Sequence, residues 1–66
     1  MTSTFRPEKL RSLREKAGLT QKKAAEQLEI AYQTYQFIEQ GKQSPRVDFL
    51  ARAAKLFRVD TIDLFE

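Results

Sequence analysis

The sequence predicts an all-α fold, a compact five-helix domain, on three observations. Apolar residues recur at helical spacing along the chain, and no segment alternates as a half-buried strand would. Gly18 and Gly41 stand just past two of the periodic runs, where a helix closes through a left-handed residue. The 66 residues include no Cys and no His, so neither a disulfide framework nor the usual zinc chemistry is available, and packing and helix caps must hold the fold. A chain this short buries only about 60% of the surface its unfolded form exposes, which leaves no room for a deep substrate pocket.

The elements follow in order. Pro7 suits the first turn of helix 1, where its missing N–H is not needed; Leu10, Leu13 and Ala17 line one face until Gly18 stops it. Thr20 is the expected N-cap of helix 2, roughly Gln21 to Leu28, with Ala24, Ala25 and Leu28 inward. Lys23 stands third after that cap, so a capping box has no carboxylate. Only Glu29, Ile30 and Ala31 separate helix 2 from helix 3, about Tyr32 to Gln40, so the two must meet across a tight turn in helix-turn-helix geometry. Tyr35 and Ile38 point inward from helix 3, and small Ala24 and Ala25 let it approach closely. After the loop KQSP, Val47, Leu50, Ala54 and Phe57 form the expected inner stripe of helix 4. Asp60, with Asp63 three residues on, reads as the cap of a short fifth helix carrying Ile62, Leu64 and Phe65.

Charge is uneven. The net charge is +3, but residues 1–46 hold nine basic and five acidic groups (+4), whereas residues 47–66 hold three and four (−1). A basic N-terminal two-thirds suits a polyanionic partner, although ordinary solubility charge accounts for the number equally well. No apolar run approaches the roughly 20 residues of a membrane span, and MTSTFRPEK lacks the apolar core of a signal peptide, so a soluble cytoplasmic protein is expected.

The run LRSLREKAGLTQKKAAEQLEIAYQTYQFIEQGKQSP, followed by FLARAAKLFRVDTIDLF, resembles the phage repressor and Cro (Xre-type) family of helix-turn-helix DNA-binding domains over residues 10–65. The resemblance lies in the joint spacing of Gly18-Leu19-Thr20-Gln21, Ala25, Leu28, Ile30, Ile38-Glu39, Gly41, Pro45, Ala54 and Val59. It implies a repressor-like fold over one domain, residues 1–66, with helix 3 lying in the major groove. Two departures stand out. Glu29 replaces the family's usual turn glycine, at a cost of order 1 kcal/mol if the residue is left-handed. Ala31 replaces the family's Ser or Thr cap of helix 3, forfeiting about 0.5–2 kcal/mol and a hydroxyl that could meet a phosphate.

Under this resemblance the base-reading positions are Tyr32, Gln33, Gln36 and Phe37. A Gln carboxamide can pair with adenine N6 and N7, and the ring of Phe37 or Tyr32 can cover a thymine methyl. Gln on a helix is also simply a neutral helix former, and exposed rings equally anchor a protein partner. Tyr35 reads as core. Phosphate contacts are expected from Gln21 at the start of helix 2, from Lys42 and the backbone N–H groups near Gly41, and from Arg46, with Lys22 and Lys23 adding charge. In repressors of this type the residues matching Arg14 and Glu39 pair with each other, a structural role.

The favoured function is a sequence-specific regulator that binds double-stranded DNA as a homodimer on a palindromic operator. Leu56, Ile62 and Phe65, left over from the core assignment, are the candidates for the dimer contact. The alternative is an adaptor or antitoxin-like module whose aromatic helix binds a protein. No catalytic, cofactor-binding or metal-ligating set emerges from the sequence, so an enzyme is not expected.

Overall fold

The computed structural model describes residues 4–65. Four α-helices and one 3₁₀ turn follow in order: α1 (Pro7–Lys16), α2 (Gln21–Gln27), α3 (Tyr32–Glu39), α4 (Val47–Phe57) and the turn Thr61–Leu64. Pro7 does open α1, and Thr20 Oγ1 accepts the Lys23 N–H at 3.1 Å as the cap of α2. Ala31 begins α3 without a side-chain cap.

All four helices close with one hydrogen-bond pattern. At the end of α1 the Gly18 N–H donates to Glu15 O and the Leu19 N–H to Arg14 O, the paired bonds of a Schellman motif. The same pair recurs after α2 (Glu29 to Glu26, Ile30 to Ala25), after α3 (Gly41 to Ile38, Lys42 to Phe37) and after α4 (Arg58 to Lys55, Val59 to Ala54). The motif demands a left-handed residue, and φ is +73° at Gly18 and +79° at Gly41 but also +59° at Glu29 and +58° at Arg58. Glu29 therefore adopts the family turn without the family glycine.

Three sequence expectations are corrected here. The fifth helix is a four-residue 3₁₀ turn, because only Thr61–Leu64 lie between Asp60 and Phe65, where the chain becomes extended and bridges Phe5. Four residues favour i→i+3 bonds over a nucleated α-helix. Its entry is capped by Asp63, whose carboxylate accepts the Asp60 N–H at 3.0 Å. The inner face of α4 is centred on Ala53, with Phe49, Leu50 and Ala54 buried beside it. Val47 sits about 120° around the helix from Ala53 and is 83% exposed, so it leaves the expected stripe. Ala17 is likewise exposed, as the C-cap of α1 rather than part of its inner face.

Tyr35, Leu10, Leu28 and Leu64 are the largest fully buried side chains, and with Ala24, Ala25, Ile38, Phe49, Leu50 and Ala53 they form the core. Phe5, Leu13, Leu56, Phe57 and Phe65 pack against it from the edge. Leu56 and Phe65 are thus partly spent on the core, and of the three residues assigned to a dimer contact only Ile62, 67% exposed, stands clear. The chain ends are clasped: the Arg6 N–H donates to Leu64 O at 2.9 Å, the Phe5 and Phe65 rings meet edge to face at 6.1 Å, and Lys9 Nζ donates to Phe65 O at 2.6 Å. Arg52 Nη1 reaches Leu28 O at 3.3 Å, satisfying a carbonyl at the end of α2 and tying α4 to the turn.

Candidate nucleic-acid interface

α3 is fixed from its inner side. Tyr35 and Ile38 enter the core against α2, whose residues there are Ala24 and Ala25, both buried, so the absence of bulk permits close packing. The Tyr35 ring lies 6.4 Å from that of Phe49 on α4. At the far end of the helix Glu39 is clamped. Arg14 Nε donates to Oε2 at 2.9 Å and Nη2 to Oε1 at 3.1 Å, a bidentate pair, while Gln21 Nε2 donates to Oε1 at 2.9 Å. Arg14 Nη1 also donates to Leu19 O at 2.8 Å. One carboxylate thereby joins α1, the start of α2 and the end of α3.

The electrostatics match this geometry. The side chains of Arg14 and Glu39 are only 11% and 3% exposed. Burial alone would raise the Glu39 carboxyl, but the hydrogen bonds from Arg14 and Gln21, the facing Tyr35 hydroxyl and the guanidinium charge outweigh it and hold the group below the ordinary Glu value. The hydrogen bond to Glu39 raises Arg14 against a smaller opposing effect of burial. Burial, then the adjacent Glu39 carboxylate, pushes the Tyr35 phenol far above its usual range, so it stays protonated. Its hydroxyl has no partner of full hydrogen-bond geometry among the described residues, and Glu39 is the acceptor that it faces electrostatically.

The outer face of α3 carries the four residues marked as base readers. Tyr32 is 44% exposed, Phe37 37%, Gln33 is exposed and Gln36 half-buried. At about 100° per residue Gln33, Gln36 and Gln40 share an arc of about 60°, with Tyr32 on one flank and Phe37 on the other. Gln40, the exposed C-cap of α3, was not singled out in the sequence, though its spacing of seven from Gln33 marks it.

The residues marked for phosphate flank this face. A shallow cleft of about 730 Å³ beside α3 is lined by Gln21, Lys22, Tyr32 and Gln40, and also by Arg11. Arg11 was missed in the sequence; it lies one turn before Arg14 and its exposed side chain meets Glu15 at 3.4 Å. Gln21 is oriented by its bond to Glu39 rather than pointing out unpartnered. Beyond the other end of α3, Lys42 and Arg46 are both exposed, and Arg46 lines a second groove of about 290 Å³ with Thr34 of α3 and Arg52 of α4. Lys23 is paired with Glu26 at 3.8 Å. The backbone N–H groups of Gly41, Lys42 and Gln43 do not match the expectation for them: they donate to Ile38 O and Phe37 O to close α3, so they are not open to an anion.

No curated protein matches the chain. A family model described as Helix-turn-helix matches residues 10–64, from the first buried leucine of α1 to the last residue of the 3₁₀ turn. That match spans most of the chain and every element of the fold, and its two central helices are α2 and α3 as described above; the chain belongs to the Xre/Cro-type helix-turn-helix family.

Proposed function

We propose that this chain, acting as one domain over residues 1–66, is a sequence-specific transcriptional regulator that binds double-stranded DNA in the cytoplasm as a homodimer on a palindromic operator. α3 lies in the major groove, with Tyr32, Gln33, Gln36 and Phe37 on base edges and Gln21, Lys22, Lys42 and Arg46 on the flanking phosphates. One observation carries the reading: α3 turns an outer face of amides and rings to solvent, with its inner end locked by Arg14, Glu39 and Gln21 and basic side chains on both sides. Such rigid placement is what base readout needs, because a hydrogen bond to a base edge tolerates little misplacement.

The exposed rings of Tyr32 and Phe37 favour one second reading, a protein partner seated on the same face. Affinity for duplex DNA measured against salt concentration separates the two. Groove binding loses affinity steeply as salt rises, because condensed counterions are released from the phosphates, whereas an apolar protein contact changes little. A chain that binds no duplex at low salt refutes the DNA reading. No helix among the described residues is long and apolar enough to cross a membrane, which is consistent with a site open to DNA.

A further inference from the structure

The groove between α3 and α4 carries chemistry that the reading of α3 does not use. Its floor is apolar: Ile38 and Phe49 are buried and Ile30 half-buried, so a hydrocarbon body seated there leaves water. Its rim is cationic. Arg46, the N-cap of α4, and Arg52 both line it, and neither is ion-paired among the described residues. Arg52 is anchored, since Nη1 donates to Leu28 O at 3.3 Å, and its remaining N–H groups have no partner among the described residues. The Thr34 and Ser44 hydroxyls and the Gln43 amide also border the groove, and these side chains make no hydrogen bond among the described residues. Asp48 is the one acid among the described lining residues, and its carboxylate accepts the Phe49 N–H at 3.0 Å rather than meeting either arginine.

Two cations against one carboxylate favour a ligand with a single negative charge, and the floor favours one with an apolar body. A guanidinium meets a carboxylate through two parallel N–H···O bonds, a match in shape as well as charge. The volume, about 290 Å³, lies at the small end of ligand sites, which suits a compact acid rather than a nucleotide. We infer that this groove binds a small monocarboxylate with an aromatic or branched apolar body, the body on Ile38 and Phe49 and the carboxylate held by Arg46 and Arg52. Under the proposed function Arg46 also meets a DNA phosphate. Resting on that reading, acid and duplex compete for one guanidinium, and the acid releases the chain from DNA.

Phenylacetate titrated into the 66-residue chain at neutral pH and fixed ionic strength, followed by backbone amide chemical shifts, tests the site without DNA. The shifts should saturate with a Kd of about 1 mM or tighter and centre on Thr34, Ser44, Phe49 and Arg52. Phenylacetamide, the uncharged match in shape, should bind at least about tenfold more weakly. Arg46→Gln, at an exposed position, should weaken phenylacetate about tenfold with helicity unchanged by circular dichroism, and Arg46→Lys should recover part of the loss. On a duplex selected from random DNA by the chain, saturating phenylacetate should weaken binding about fivefold or more, and phenylacetamide at the same concentration should not. Shifts that stay linear to about 20 mM, or equal affinity for acid and amide, overturn the site. Saturable binding in the groove that leaves duplex affinity unchanged overturns the competition. A chain that retains no duplex, even at low salt, removes the DNA reading alone, and the chemical shifts still decide the site.

Discussion

Glu29 and Arg58 hold left-handed backbone without being glycine, so both turns carry strain that their counterparts at Gly18 and Gly41 avoid. Glu29→Gly relieves about 1–2 kcal/mol and gives back about 0.5–1 kcal/mol through the freer unfolded chain. A net gain of about 0.5–1 kcal/mol is expected, read as a higher urea midpoint at unchanged slope. Gly18→Ala should lose about 1 kcal/mol, and since an added Cβ there meets nothing within 4 Å, that loss is purely of backbone origin. Glu39 sets the acid limit. Its carboxyl is held below the ordinary value in the fold, so its contribution is complete above the unfolded value near about 4.3 and falls as pH drops through the lower folded value. Glu39→Gln keeps the shape and removes the charge facing Arg14; it should cost on the order of 1–3 kcal/mol at neutral pH. The gap between parent and variant, followed by urea unfolding at successive pH values, should be flat above about pH 5 and narrow below about pH 4. A gap independent of pH would show that the carboxylate charge does not hold the cluster.

At the scale of elements, the proposed function divides the work of α3 and its flanks between bases and phosphates. Lys42→Ala or Arg46→Ala should weaken every duplex about equally and reduce the magnitude of the salt slope by about one unit per lost contact in each half-site, with base preference unchanged. A change of preference at constant slope would reassign the residue. Much of the layout of the elements is legible in the sequence. Gly18, Thr20 and Gly41 mark helix boundaries through local chemistry, and the family spacing marks the Arg14–Glu39 pair. Long-range geometry is where legibility stops. Periodicity fixes the pitch of α4 but not its rotation, which the docking of Phe49 and Ala53 decides, so spacing alone puts Val47 inward whereas it lies outside. The third donor on Glu39, from Gln21, depends on where the ends of α2 and α3 meet, eighteen residues apart. The N–H groups near Gly41 looked open because the Schellman bonds that spend them form only once α3 has closed.

For the whole molecule the question is how so small a body would hold the operator proposed for it. Its extents are 34 × 23 × 19 Å; under the proposed function one copy would cover a single half-site, and two copies on half-sites about 34 Å apart would share a palindrome. Sedimentation with a palindromic duplex should give two chains per duplex, and Ile62→Asp should weaken the second binding step about tenfold or more if that exposed side chain lies in the contact. A strict one-to-one complex on a full palindrome speaks against the dimer. The central claim, that the outer face of α3 reads sequence, is tested most directly by the ratio of affinities for a selected site and a scrambled duplex, measured for the parent chain and for Gln33→Ala at one salt concentration. The account predicts that the variant binds the scrambled duplex as the parent does and loses about 1–3 kcal/mol per half-site on the selected one, with preference relaxed at a single base pair. An unchanged ratio would contradict it.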